Sequence, residues 1–211
     1  MKIVAFDLET TGVDPFNDVP VSYAVGSMSG LINPGIPIPP TTTEIHGITD
    51  AMVEHAIELE GGVFALKELL EGYWSMNHVI VGMNISYDLT MLHSCLKRYG
   101  AELKPGRVID VLVIDRTFDR YRKGSRKLQA LADHYEIPFT NAHNAQADAD
   151  AVVEILRAQI KKWPRLYHVN NNAMETWYVE WLRGFNNHLI AKGNDPIPKG
   201  RFSWPINTEE V

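Results

Sequence analysis

An α/β layer fold with a mixed central sheet is predicted for this 211-residue chain. Three observations predict it. Strand-like apolar runs come early, mixed with helical stretches, and helices then dominate. The runs Ile3-Val4-Ala5-Phe6 and Val79-Ile80-Val81 read as buried strands. No internal repeat, low-complexity tract or charge block breaks the pattern, and the length is enough to bury a sizeable core.

The elements follow in order. Residues 2–9 read as a central strand ended by the Thr10-Thr11-Gly12 turn. Val21 to Ile32 reads as two strands around a turn near Ser29-Gly30. Asn33 to Pro40 is rich in proline, which has no amide proton for a ladder, so an exposed extended loop is expected. Thr49 suits the cap of a short helix, and Val63 to Trp74 is amphipathic at helical spacing. The strand Val79 to Gly82 leads into a helix from Ile85 to Tyr99, and Arg107 to Ile114 starts as a strand and turns helical. Arg126 to Tyr135 and Ala145 to Lys161 read as helices. After Trp163-Pro164 the character shifts. Ala173 to Ile190 carries Tyr178, Leu182, Phe185 and Leu189 at helical spacing, widened by Trp177 and Trp181, and is expected to cap the core. The end, with Pro196, Pro198, Trp204 and Pro205, reads as an irregular strap pinned by Trp204. The division expected is residues 1–162 as the main domain and 163–211 as a helix and strap packed on it.

Composition bounds the function. A single cysteine, Cys95, excludes an intramolecular disulfide, and its apolar helical setting marks a buried structural thiol. No signal peptide or long apolar run is present, so a cytoplasmic location without membrane contact is expected. The net charge of −6 is not that of a duplex-coating protein, which carries excess lysine and arginine. It does not exclude an enzyme that holds phosphate through metal ions, whose acidic ligands lower the formal charge.

Three segments place an acid where burial disfavours one. Alternation along the first strand puts Asp7 and Glu9 on one face, roughly 6.6 Å apart at about 3.3 Å per residue. Like charges on a buried strand repel and resist desolvation unless a cation lies between them. The alternative is that the strand frays there and the acids face water. Asn84 suits the cap of the next helix, and Asp88, one turn in, lies beside Ile85 and Leu92 on its apolar stripe. A helix dipole offers such an acid only about 0.3–1 kcal/mol. In the third segment Asp148 aligns with Val152, Ile155 and Leu156, whereas Asp150 aligns with the solvated Glu154, Arg157 and Lys161. His143 lies five residues before Asp148. Hard oxygen donors of this kind select Mg²⁺ or Mn²⁺ over zinc.

These residues resemble the motifs of DnaQ-like (DEDDh-type) 3′–5′ exonucleases. Asp-x-Glu-Thr-Thr-Gly matches residues 7–12, Asn-x-x-x-Asp matches Asn84 and Asp88, and His with Asp five residues on matches His143 and Asp148. Ile45-His46-Gly47-Ile48-Thr49 and Lys127-Leu128-Gln129-Ala130-Leu131 also fit, and the match spans residues 1–160 in the family's order. A sister class has tyrosine where this chain has Asn144, which favours the histidine class. The resemblance implies a ribonuclease H-like mixed sheet flanked by helices and release of 5′-mononucleotides from a 3′-hydroxyl end. It implies two Mg²⁺ or Mn²⁺ ions, with Asp7 bridging both, Glu9 and Asp148 completing the first site, and Asp88 holding the second. His143 would be the general base, and Thr10, Thr11, His46 and Asn84 are carried over as substrate-binding residues. The implied partner is the 3′ end of single-stranded nucleic acid, DNA ahead of RNA, with stand-alone action ahead of polymerase association. RNA or short-oligonucleotide trimming, a catalytically idle binding module and a metallohydrolase of other substrates are the alternatives. The basic residues Arg120, Arg122, Lys123, Arg126 and Lys127 are open between a solvated loop and a phosphate-contacting one.

Overall fold

The computed structural model describes residues 1–139 and 144–209. Among them, the strands β1 (Lys2–Thr10), β2 (Pro20–Val25), β3 (Met28–Asn33), β4 (Ile57–Glu58), β5 (His78–Gly82) and β6 (Val108–Asp110) form one six-stranded sheet. Its order is β4-β3-β2-β1-β5-β6. β1 lies antiparallel to β2 and parallel to β5, so the sheet is mixed and changes direction at β1. The predicted α/β class and ribonuclease H-like arrangement are the observed ones.

That change of direction creates the opening where a site can form. β5 pairs only with Lys2 to Ala5, then turns away at Gly82, while β2 follows β1 as far as Thr10. The upper half of β1 therefore has a ladder on one side only. Open α/β sheets bind ligands beyond the carboxyl ends of their strands at such points.

The helices are α1 (Pro40–His46), α2 (Asp50–Val53), α3 (Leu59–Ser75), α4 (Ile85–Arg98), α5 (Val111–Phe118), α6 (Leu128–His134), α7 (Ala145–Lys162) and α8 (Asn171–Ala191). One core lies under α3 and α4, built on Phe6, Ile80, Leu89 and Leu92. The other lies under α5, α7 and α8, built on Val81, Ile109, Ile155 and Leu156. Cys95 is fully buried in the first, and burial pushes its thiol up to about 11, as a structural cysteine requires. Among the described residues, no helix is long and apolar enough to cross a membrane.

Several boundaries differ from expectation. The β2–β3 turn is Gly26-Ser27, with Val25 opposite Met28, because Gly26 takes the left-handed conformation (φ 61°) such a turn requires. Gly30 instead lies within β3 opposite Tyr23, whose ring fills the space a Cβ would need, at 2.9 Å from its hydroxyl. α1 was not expected. Pro40 ends the proline-rich stretch and opens this helix, the position where a missing amide proton costs nothing. α3 begins four residues before Val63 because Gly62 lets the helix press onto Ile32, 3.1 Å from an added Cβ. Thr49 precedes α2 in extended conformation, but its side chain makes no capping bond.

The C-terminal segment docks through side-chain amides. Asn171 accepts from the Val108 amide (2.8 Å) and donates to the Gly106 carbonyl (2.7 Å), covering the end of the edge strand β6. Farther on, the buried Asn207 donates its backbone amide to the Thr90 hydroxyl of α4 (2.8 Å) and its side-chain amide to the Ser203 carbonyl. Trp204 packs on Tyr178 at 5.3 Å and touches both cores, as the expected pin does. On α8 the inward stripe is Met174, Tyr178 and Leu182. Phe185 departs from expectation, since it is 42% exposed.

Candidate active site

Asp7 and Glu9 point from the half-paired part of β1 toward the first turn of α7. There Asn144 caps the helix by accepting from the Ala147 amide (3.1 Å), and Asp148 stands in the first turn. Carboxylate oxygens of Asp7, Glu9 and Asp148 lie within 4.8 Å of one another. Asp150 is exposed and takes a bond from Gln146, as the helical register predicted.

Asp88 completes the cluster from the other side. It is buried in the first turn of α4, and its Oδ1 accepts the Leu8 amide at 3.1 Å. That amide lies past the last β5 pair, so the aspartate takes the place of a ladder partner. The hydrogen bond fixes Asp88 beside Asp7, close enough for each charge to perturb the site. His143 lies outside the described residues.

The electrostatics fit a site that could hold a cation. Burial, then the charges of Asp88, Asp148 and Glu9, hold the Asp7 carboxyl well above the usual carboxylate range. Burial and Asp148 raise Glu9 to about 7. Burial also raises Asp88, against the opposing Leu8 amide bond. Among the described residues, no lysine or arginine forms an ion pair with Asp7, Glu9 or Asp88. An all-oxygen, negatively charged donor set of this kind fits Mg²⁺ or Mn²⁺.

A pH dependence follows. Glu9 in the folded chain binds its proton up to about pH 7, whereas its ordinary value is 4.5. Between these values the folded state holds a proton that the unfolded state has released, so this contribution to stability is complete below pH 4.5 and lost as pH rises through 7. Thermal melts in EDTA should show a melting temperature that falls over this window, and Glu9→Gln should flatten the fall. An identical slope in the variant would remove Glu9 as its source.

The remaining predicted residues fall into distinct settings. Thr10 donates to the Gly12 carbonyl (2.7 Å) and contacts the Tyr87 hydroxyl (3.2 Å), at the edge of the cluster. Thr11 is buried, and its hydroxyl is spent on Asp18 and the Val19 amide, holding the turn in shape. His46 ends α1, where its Nδ1 accepts the Ile48 amide (3.0 Å). Asn84 precedes α4 in a left-handed conformation (φ 59°) with no capping bond from its side chain.

The cap comes instead from Asp110, which the sequence reading passed over. Its Oδ2 accepts the Ile85 amide (3.1 Å) while its Oδ1 caps α5 through Leu112 and Val113. One buried carboxylate thus sets the start of two helices, and with it the position of Asp88. An aspartate at a strand end just before a helix was the available signal. Tyr87 was also passed over. Its hydroxyl donates to the Gly12 carbonyl and closes the Thr-Thr-Gly turn against α4.

A second group of possible ligand atoms, Asp115, Asp119 and His134, is already committed. Arg122 and Arg126 pair with Asp115, and Lys162 with Asp119. Of the five basic residues, Arg122 and Arg126 are therefore structural, while Arg120, Lys123 and Lys127 stay exposed.

Residues 4–156 match the family model described as RNase_T, Exonuclease. The chain belongs to this exonuclease family. It is thereby placed among the DnaQ-like, ribonuclease H-like exonucleases that its motifs resemble. Among curated relatives, the DNA polymerase III PolC-type protein of Lacticaseibacillus paracasei is 32% identical over 176 residues, covering 79% of this chain and 12% of that protein. The PolC-type protein of Oceanobacillus iheyensis is 29% identical over 208 residues, covering 92% and 14%. The chain thus spans only a small part of these relatives. Among solved structures, E. coli Exonuclease I in complex with a dA16 oligonucleotide has a TM-score of 0.64 at 19% identity, covering 78% of this chain and 42% of that one. Exonuclease X in complex with 5′ overhanging duplex DNA has a TM-score of 0.54 at 20% identity, covering 77% and 93%. These two structures share the fold of this exonuclease-family chain.

Proposed function

We propose that this chain is a 3′–5′ exonuclease that releases 5′-mononucleotides from single-stranded or frayed DNA ends. The convergence of Asp7, Glu9 and Asp148 within 4.8 Å, with Asp88 held beside them by the Leu8 amide, carries the reading. Residues 1–162 would be the catalytic domain, with 163–211 an addition packed upon it. Asp7 would be shared between two divalent ions, Glu9 and Asp148 would complete one site, and Asp88 would serve the other. When bound, such a pair polarises the phosphodiester and stabilises the leaving oxygen.

The chain's own groups do the rest. His143, five residues before Asp148, would take the proton of the attacking water as general base. The bond broken is that between phosphorus and the 3′ oxygen of the penultimate nucleotide. Thr10, His46 and Asn84 are assigned to the terminal nucleotide, with Thr11 shaping the turn that presents Thr10. The DNA complexes of Exonuclease I and Exonuclease X support DNA as the substrate. The PolC-type relatives make a DNA polymerase the protein partner to test.

Digestion of end-labelled single strands tests the reading. With Mg²⁺ or Mn²⁺, a 3′-labelled DNA oligomer should yield labelled mononucleotide at once, and a 3′-phosphate should block it. Matched RNA should be cut more slowly. Absence of metal-dependent release, or shortening from the 5′ end, would overturn the proposal.

A further inference from the structure

The part of α8 that leaves the core carries an aromatic stack. The Arg116 guanidinium lies 3.4 Å from the centre of a Trp181 ring, and the Phe185 ring stacks with Trp181 at 5.2 Å and 14°. Arg116 is half-buried, and burial lowers it to about 10, with Asp110 opposing and Arg126 assisting the shift. Arg116 lies on α5, the helix that Asp110 caps while also setting the α4 turn leading to Asp88, and the 120–127 segment with its exposed Arg120, Lys123 and Lys127 follows that helix in the chain. Tyr178, one turn before Trp181, reaches Ser86 in the first turn of α4 at 3.5 Å. The stack therefore borders the catalytic end of the sheet, and α8 lies outside the family-matched residues 4–156.

Two features set it apart from ordinary packing. Phe185 is 42% exposed at the outer end of a stack that a half-buried cation backs. Beside it Gly184 sits inside a helix, where glycine is disfavoured relative to alanine, although an added Cβ would meet nothing within 4 Å. Among the described residues no neighbour demands that glycine, and it leaves backbone without a side chain beside the exposed Phe185.

We propose that the Arg116–Trp181–Phe185 stack holds a base of single-stranded nucleic acid upstream of the end being cut. Every base has a π face, so such a platform accepts any sequence, and the nearby basic loop complements the strand's phosphates. That the strand continues from the carboxylate cluster rests on the exonuclease reading; the stacking itself does not.

Binding of a fluorescent 12-nucleotide single strand, measured by anisotropy in EDTA, separates the two. Phe185→Ala should weaken affinity roughly 5- to 100-fold, the range for loss of one base–aromatic stack. Phe185→Leu should weaken it similarly, because it keeps the apolar bulk without a π face, and Phe185→Tyr should restore it. Melting temperatures check that each variant is folded. A matched RNA strand should show the same ranking if the sugar is not read. Wild-type affinity in Phe185→Ala on both strands would overturn the proposal, as would full retention by Phe185→Leu, which would mark an apolar docking surface instead. Because no turnover occurs in EDTA, a chain that binds this way yet fails to cut would refute the exonuclease reading and leave the platform standing.

Discussion

Replacing Asp7 with asparagine is expected to lower metal-dependent release of mononucleotides by roughly 10²- to 10³-fold, the contribution of a single electrostatic group at a reacting centre. Asp7 is the member of the cluster whose carboxyl feels Asp88, Asp148 and Glu9 together. Its loss would remove a ligand assigned to both ions, whereas loss of Glu9 would touch one. The substitution preserves shape and takes away one of the charges that repel within the cluster. In EDTA at pH 8 the variant should therefore melt at or above the wild-type temperature, because the folded chain no longer carries that buried, crowded carboxylate. The rise in melting temperature that Mn²⁺ binding should produce in the wild type by linkage should shrink or vanish in the variant. The combination is diagnostic: a merely structural aspartate would lose stability along with activity. Full activity in the folded variant would remove Asp7 from the mechanism.

Much of this site was legible in the sequence because periodicity alone decides which side of an element an acid faces. A two-residue period put Asp7 and Glu9 together, and the helical period separated Asp148 from Asp150. Asp110 was not legible in the same way. Its importance comes from a contact 25 residues away, the Ile85 amide, which no local pattern encodes. The α1 helix was missed for the opposite reason: its proline was read as a breaker when it opens the helix. On α8 the spacing correctly joined Tyr178 and Leu182, but it continued the stripe to Phe185, because periodicity does not show where the partner surface stops.

The basic segment from Arg120 to Lys127 shows the same limit, and Asp115 makes it testable. Periodicity leaves Asp115 as one more polar residue in a short helix, yet its carboxylate is fully buried. It receives Arg122 at 3.1 Å, the Tyr135 hydroxyl at 3.2 Å and a close bond from Arg126. Arg126 in turn donates to the Asp119 and Arg120 carbonyls at 2.9 and 3.3 Å, so one aspartate closes the whole segment onto α5. Arg122 and Arg126 are only 10% and 19% exposed, too buried to be rehydrated without moving. Asp115→Ala would strand two guanidinium charges, and breaking a buried pair in this way costs about 3–5 kcal/mol. At about 2–4 °C per kcal/mol for a domain of this size, the melting temperature should drop by about 6–20 °C. Asp115→Asn keeps acceptor oxygen for one arginine and should fall between the two. A drop under about 2 °C in Asp115→Ala would mean that the arginines reach solvent freely, and Arg122 and Arg126 would then return to the phosphate-contacting set. The size of the drop thus decides which of the five cations are available to a nucleic-acid strand.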